Sequence, residues 1–291
     1  VAAPAPPALA GSPNVILITI DTLRGDHVGC GEPSPVATPA LCSLVKDGGT
    51  RFFGFSHASW TKPSAASLLS GLLPSSHGAT SKTASVSPDV EMLAEAMQGR
   101  GYETGGIVSN INLAPSFGFG QGFGEYHYLA PDYIAGASES SSKLIVYQLV
   151  RKVLFRVRPY YRVGDYYQDA ETVNGHAFDW LDRHQDSRFF LFLHYMDPHD
   201  PYFQHPYDGK AIARVTNDHP DPALAPEMHR LYMGEIQYLD AHLEKLWEKL
   251  RALGVYDDTL IVVTADHGEE FHEHGGWWHG LTLYDEQVHV P

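Results

Sequence analysis

The sequence predicts an α/β fold with a mostly parallel central sheet, and three observations carry that prediction. Residues 14–20 (Asn-Val-Ile-Leu-Ile-Thr-Ile) form a near-continuous apolar run, the pattern of a strand covered on both faces. Residues 260–264 (Leu-Ile-Val-Val-Thr) form a second run of the same type. Each run ends in a polar tip, Asp21-Thr22 and Asp266-His267-Gly268, and in open α/β sheets ligands collect outside the carboxyl ends of the strands. Tips far apart in sequence can therefore be neighbours in space.

The intervening elements follow in order. Residues 1–13, rich in Pro and Ala, have neither a helical nor a strand period and read as a linker. Residues 14–291 then read as one domain, without an internal repeat or a strong boundary. Thr38-Pro39 start a helix that Gly48-Gly49 stop, and residues 51–57 read as a strand feeding a turn at Thr61. Pro63 fits the first turn of a helix and Gly71 its stop, which puts Thr61 at or just before a helix N-terminus. Ser87-Pro88 start another helix, with Val90, Leu93, Ala94 and Met97 on one stripe. The Gly- and Ser-rich stretch 117–142 reads as a loop near the mouth of the site. A strand at 189–194 follows, and then a long helix at 226–253 with Leu231, Ile236, Leu239, Leu243, Leu246 and Leu250 at helical spacing, which feeds the strand before Asp266.

The tips supply a definite set of donors. At a helix start, free N–H groups and the positive end of the dipole favour a tetrahedral anion beside Thr61. Taken alone, a threonine there is usually only an N-cap. With Asp21, Asp266 and His267, however, a Thr61 alkoxide makes three oxygens and one imidazole, a set that suits zinc or manganese better than calcium or magnesium. A divalent ion lowers the pKa of bound water to about 7, and the same Lewis acidity would let Thr61 attack near neutral pH. The chain has 17 histidines, and His267, His272, His274, His279 and His289 crowd its final stretch; His272 reads as part of a solvated loop.

The order of these motifs resembles the sulfatase-like branch of the alkaline phosphatase superfamily. The resemblance rests on residues 14–27, from the first strand through Asp21-Thr22-Leu23-Arg24-Gly25-Asp26-His27, on Thr38-Pro39, and on Pro63-Ser64 through Leu68-Leu69-Ser70-Gly71 to His77-Gly78. It continues through Gly101-Tyr102-Glu103-Thr104, Asp197-Pro198-His199, residues 259–268 and Leu283-Tyr284-Asp285-Glu286 to Val290-Pro291. It implies an alkaline-phosphatase-like three-layer α/β/α sandwich and an enzyme acting on anionic esters. It also implies that His199 matches the family's substrate-side histidine, and that His279 lies near a substrate-contacting lysine of many sulfatases, where it could bind the anion or protonate the leaving group. Lys62 and Asn110 join these two as substrate-binding candidates. His194 has a weaker claim, since it could be a hydrogen-bonded core residue, and Asp197, His199 and His279 could alternatively hold a second metal.

Departures from the family pattern bear on the chemistry. Sulfatases carry a cysteine or serine where Thr61 stands and an arginine where Ala65 stands, the pair read by the formylglycine-generating machinery. Thr61 is therefore expected to stay an unmodified threonine, and a threonine ester must be displaced by water or another acceptor. This tilts the expected substrate towards phosphate and phosphonate esters without excluding sulfate. Thr22 replaces a second aspartate and His267 an asparagine, and both changes lead away from calcium. The alternative to an enzyme is a catalytically silent relative that uses the same pocket to bind an anion or a partner.

Composition bounds the partners. Lys and Arg number 20 against 35 Asp and Glu, and the resulting net charge of −15 argues against general nucleic-acid affinity. One segment reverses the trend: residues 143–162 contain Lys143, Arg151, Lys152, Arg156, Arg158 and Arg162 and no acid. Interleaved with apolar residues, it could face anionic lipid or substrate, or dock as an amphipathic helix or lid on the acidic body. Cys30 and Cys42, the only cysteines, are compatible with a disulfide or with two free thiols. With no apolar run near the roughly 20 residues of a membrane span, the chain is expected to be periplasmic or secreted, or the soluble part of an anchored protein. Relatives usually continue past the position of Pro291 into a smaller C-terminal subdomain, which this chain is expected to lack.

Overall fold

The structure, a computed structural model, describes all residues except 1–10, 53, 134–136, 138–140, 142–143 and 158–161. Most of the expected linker, and Lys143, Arg158, Tyr160 and Tyr161 of the basic segment, lie outside the described residues.

The core is a five-stranded sheet of β1 (Asn14–Ile20), β3 (Glu103–Val108), β4 (Glu125–Tyr128), β5 (Phe189–Tyr195) and β8 (Thr259–Ala265), in the order β4-β3-β5-β1-β8. Every pairing is parallel. β1 is an interior strand between β5 and β8, and alternation along it serves two cores, as a strand covered on both faces requires. Ile16, Ile18 and Ile20 point into a layer that includes Trp180, Leu243 and Trp247, contributed by α6 (Ala170–His184) and α7 (Ala225–Ala252), together with Leu41 of α1 (Pro39–Lys46). Leu17, with Phe190 and Phe192 of β5, packs on the other side against Ala65, Ala66 and Leu69 of α2 (Thr61–Ser70) and Ala94 of α4 (Leu93–Gln98). The result is the expected α/β/α sandwich. A four-residue helix, α3 (Pro74–His77), follows α2.

Register places the site. Ile20 pairs with Tyr195 on one side and Ala265 on the other, so β1, β5 and β8 end at the same level. Asp21 and Asp266, the next residues, emerge side by side.

Four expectations change. The run at 260–264 is not covered on both faces: β8 is a sheet edge, and Leu260 and Val262 are exposed. The strand expected at 51–57 shrinks to β2 (Gly54–Phe55), which pairs antiparallel with β11 (His289–Val290). The helix expected from Ser87-Pro88 begins at Leu93, because Met92 is the extended N-cap residue and its N–H donates to Glu95 Oε2 at 2.8 Å. The stretch 117–142 is not all loop, since β4 lies within it and extends the sheet beyond β3. Cys30 and Cys42 are joined in a disulfide. Among the described residues no helix is long and apolar enough to cross a membrane.

Candidate active site

Thr61 is the first residue of α2, preceded by Trp60 in extended conformation, and its side chain is buried. Gly71 ends the helix in the left-handed region at φ 69°, as a glycine stop permits. The first turn is fastened to the β8 tip by Ser64, whose hydroxyl donates to the carbonyl of Asp266. This contact holds Thr61 over the strand ends.

Around it stand Asp21, Asp266 and His267, all buried. His267 Nε2 lies 3.4 Å from Thr61 Oγ1, 3.5 Å from Asp21 Oδ1 and 3.6 Å from Asp266 Oδ2. Its Nδ1–H donates to Gly268 O at 2.9 Å, which turns Nε2 towards the carboxylates. Asn110 donates its amide to Asp21 Oδ2 at 2.7 Å and to Thr61 Oγ1 at 3.3 Å, while its own oxygen accepts from Asn112 N–H at 2.8 Å. Asp266 Oδ1 accepts from the N–H groups of His267 at 3.0 Å and Thr22 at 3.4 Å. Thr22 is held at φ 59°, a strained value for a β-branched residue.

The atoms left over are informative. Asp21 Oδ1, Asp266 Oδ2 and both ring nitrogens of His194 are buried without a hydrogen-bond partner among the described residues. His194 Nε2 is 3.6 Å from Asp21 Oδ2 and 3.9 Å from Asp266 Oδ2, and Asp21, His194 and Asp266 form a group of donors close enough to hold a metal. These separations are long for hydrogen bonds, whereas two donors each about 2.1 Å from a shared ion at a tetrahedral angle stand about 3.4 Å apart. Burial alone would raise the Asp266 pKa, but His267, His194 and His279 hold it below the usual carboxylate range. The donor set fits a divalent ion that accepts oxygen and nitrogen.

On the open side, the rings of His267 and His279 are 4.5 Å apart and those of His279 and His199 5.0 Å apart. His279 Nδ1 contacts Glu269 Oε1 at 3.0 Å, and Glu269 is held below its ordinary range despite its burial, mainly by His279. His199 Nδ1–H donates to Asp200 O at 2.7 Å. Burial would lower the His199 pKa, yet the fields of Asp21, Asp200 and Glu269 outweigh it and push the ring up to about 9. Asn110 and His199 border a cavity of about 280 Å³ that Tyr133, Tyr147 and Tyr166 also line.

A sulfatase family model matches residues 13–291. The chain belongs to the sulfatase family. Curated relatives include the choline-sulfatase of Rhizobium meliloti, 23% identical over 97% of this chain and 62% of the relative. Human arylsulfatase A is 27% identical over 90% of this chain and 53% of the relative. The chain thus spans roughly half to three fifths of the length of these two proteins. Among solved structures, the phosphonate monoester hydrolase of Agrobacterium radiobacter aligns with a TM-score of 0.67 at 22% identity, covering 96% of this chain and 67% of that one. That likeness concerns the fold.

Within this family frame, the structure gathers Asp21, Thr61, Asp266 and His267, with Asn110, His279 and His199 beside them. Lys62, expected to bind substrate, has other contacts: its buried ammonium donates to Lys82 O at 2.7 Å and Ala84 O at 3.1 Å and lies over the Phe117 ring. Asp197 does not join His199 and His279 as a second metal site. It sits with the acids Glu235 and Asp169, and burial, reinforced by those two charges, raises its pKa well above the ordinary range. His272 is half-buried and stacks on Trp277, His274 pairs with Glu286, and His289 stacks near Phe55. A histidine inside an apolar strand reads as core, so the sequence pattern points away from His194. Ser64 carries no sequence signal beyond its place one turn into α2.

Proposed function

We propose that this chain is a metal-dependent hydrolase, or group transferase, of an anionic ester, with Thr61 as the covalent nucleophile. The observations that carry the reading are that His267 Nε2 lies 3.4 Å from Thr61 Oγ1, 3.5 Å from Asp21 Oδ1 and 3.6 Å from Asp266 Oδ2, and that Asp21, His194 and Asp266 lie close enough together to hold a metal. Asp21, Thr61, Asp266 and His267 would hold that ion, with His194 behind the two carboxylates. Zinc or manganese suits this mixture of oxygen and imidazole better than calcium or magnesium. The ion would supply Lewis acidity, lowering the pKa of the Thr61 hydroxyl and polarising the ester.

The chain's own groups do the rest. Asn110 orients Asp21 and Thr61 together through its amide. His199, cationic at neutral pH, faces the anion. His279, held by Glu269, stands where it can donate a proton to the leaving oxygen. The ester on Thr61 is then displaced in line by water or an alcohol. Because such displacement is well suited to phosphoryl groups, we rank phosphodiesters and phosphonate esters above sulfate esters. The Cys30–Cys42 disulfide supports a periplasmic or secreted location.

Metal analysis of protein purified without added metal, followed by a panel of nitrophenyl phosphate diesters, phosphonates and sulfate, tests this reading. One divalent ion per chain and turnover of the phosphorus esters are expected. A chain that binds no zinc or manganese and turns over none of the panel would favour the silent anion-binding alternative.

A further inference from the structure

Residues Ile145–Val157 form a helix, α5, whose packing is inverted relative to an ordinary surface helix. A surface helix normally turns its apolar stripe inward. Here Val146, Leu149, Val150, Val153 and Val157, spaced three and four apart, are 47–70% exposed, and Ile145 is 80% exposed. The half-buried side carries Tyr147, Arg151 and Leu154. Arg151 Nη2 donates to Asp165 O at 3.3 Å, and the Tyr147 ring meets Tyr133 edge-on. The stripe is therefore displayed, with the helix fastened from behind.

Charge identifies what covers it. The chain carries a net −15, yet residues 143–162 contain six basic residues and no acid; Arg151 and Arg162 turn to Asp165 and Asp132, while the positions of Lys152 and Arg156 fall beside the stripe by helical spacing. The covering surface must be apolar within and anionic at its border, which describes an anionic bilayer. A second copy of this chain would instead bring two basic segments together. Tyr147 and Arg151 also line the cavity bordered by Asn110 and His199, so the helix forms one wall of that pocket.

We propose that α5 is an interfacial helix that seats this chain on an anionic lipid bilayer, with the pocket mouth beside the headgroups. Flotation of the purified chain with phosphatidylcholine vesicles, with and without phosphatidylserine, tests it. Partition is expected to rise at least about tenfold with phosphatidylserine and to fall with added salt. The double variant Leu149→Asp/Val153→Asp, at exposed positions that leave the fold intact by circular dichroism and melting temperature, is expected to lose at least about tenfold in partition. Equal partition onto phosphatidylcholine alone, or undiminished binding by the variant, overturns the proposal. So does a dimer that the same substitutions dissociate in a chain that binds no vesicles, since the stripe would then belong to a second copy.

Discussion

At the scale of single residues, His194 is the sharpest anomaly. An imidazole buried with both nitrogens unpaired costs about 1–3 kcal/mol, a penalty that an ion shared with Asp21 and Asp266 would offset. His194→Gln should therefore weaken zinc affinity by at least about tenfold, measured by competition with a chromophoric chelator. Unchanged affinity would make His194 a core residue only. Its role was not legible in the sequence, because the run 189–194 looks the same whether its polar member points into the core or at the strand tips. Asp21, Thr61, Asp266 and His267 were legible because each follows a strand or starts a helix, where side chains are committed to the ligand side. His199 gives a prediction in pH. Its pKa is raised, so its cationic form prevails at neutral pH and is lost as pH rises through about 9. Binding of inorganic phosphate to the metal-free chain should weaken between pH of about 8 and 10, and His199→Gln should remove that dependence. An ion on Asp21 weakens one of the three fields and moves the midpoint downward without changing the sign.

At the scale of elements, the loop leaving β1 is pinned by α7 in addition to its own turn hydrogen bonds. Tyr232 OH donates to Thr22 O at 2.8 Å and accepts from Arg24 N–H at 3.0 Å, both in a buried setting. Arg24 in turn reaches Asp26 and Glu273 and donates to Glu269 O at 3.2 Å, tying the loop to the segment that carries His279's partner. Tyr232→Phe leaves two buried backbone groups without a partner and should cost about 1–3 kcal/mol in denaturant unfolding, more than a surface substitution. A change below about 0.5 kcal/mol would mean that Thr22 holds its strained conformation without α7. β1, β5, β8 and the long helix were legible from period and length, whereas β3 and α6 were not. The edge position of β8 was not, because an apolar run records burial expected for the strand and says nothing of its neighbour in the sheet. β4 was obscured by the glycines around it, and the start of α4 by a capping interaction that uses Glu95 rather than a Ser side chain.

At the scale of the whole molecule, parallel register turns a sequence pattern into a candidate site: β1, β5 and β8 stop together, and its residues lie beyond that line except His194, the last but one residue of β5. The chain's net −15 would repel an anionic ester, so the histidine face and a bound ion must supply the local positive field. If His279 protonates the leaving oxygen, His279→Ala should slow esters of alkyl alcohols by at least about tenfold more than nitrophenyl esters. Equal losses across leaving groups would assign His279 to anion binding alone. The preference for phosphorus over sulfur follows from Thr61 and is expected as a higher kcat/KM for a phosphodiester or phosphonate ester than for the matched aryl sulfate. The most direct measurement is mass spectrometry of the Thr61 peptide after rapid acid quench during turnover. A phosphoryl or phosphonyl group is expected on an otherwise unmodified Thr61, absent in Thr61→Ala, which should be nearly inactive and still folded. Full turnover in Thr61→Ala, or a formylglycine at position 61, would contradict it.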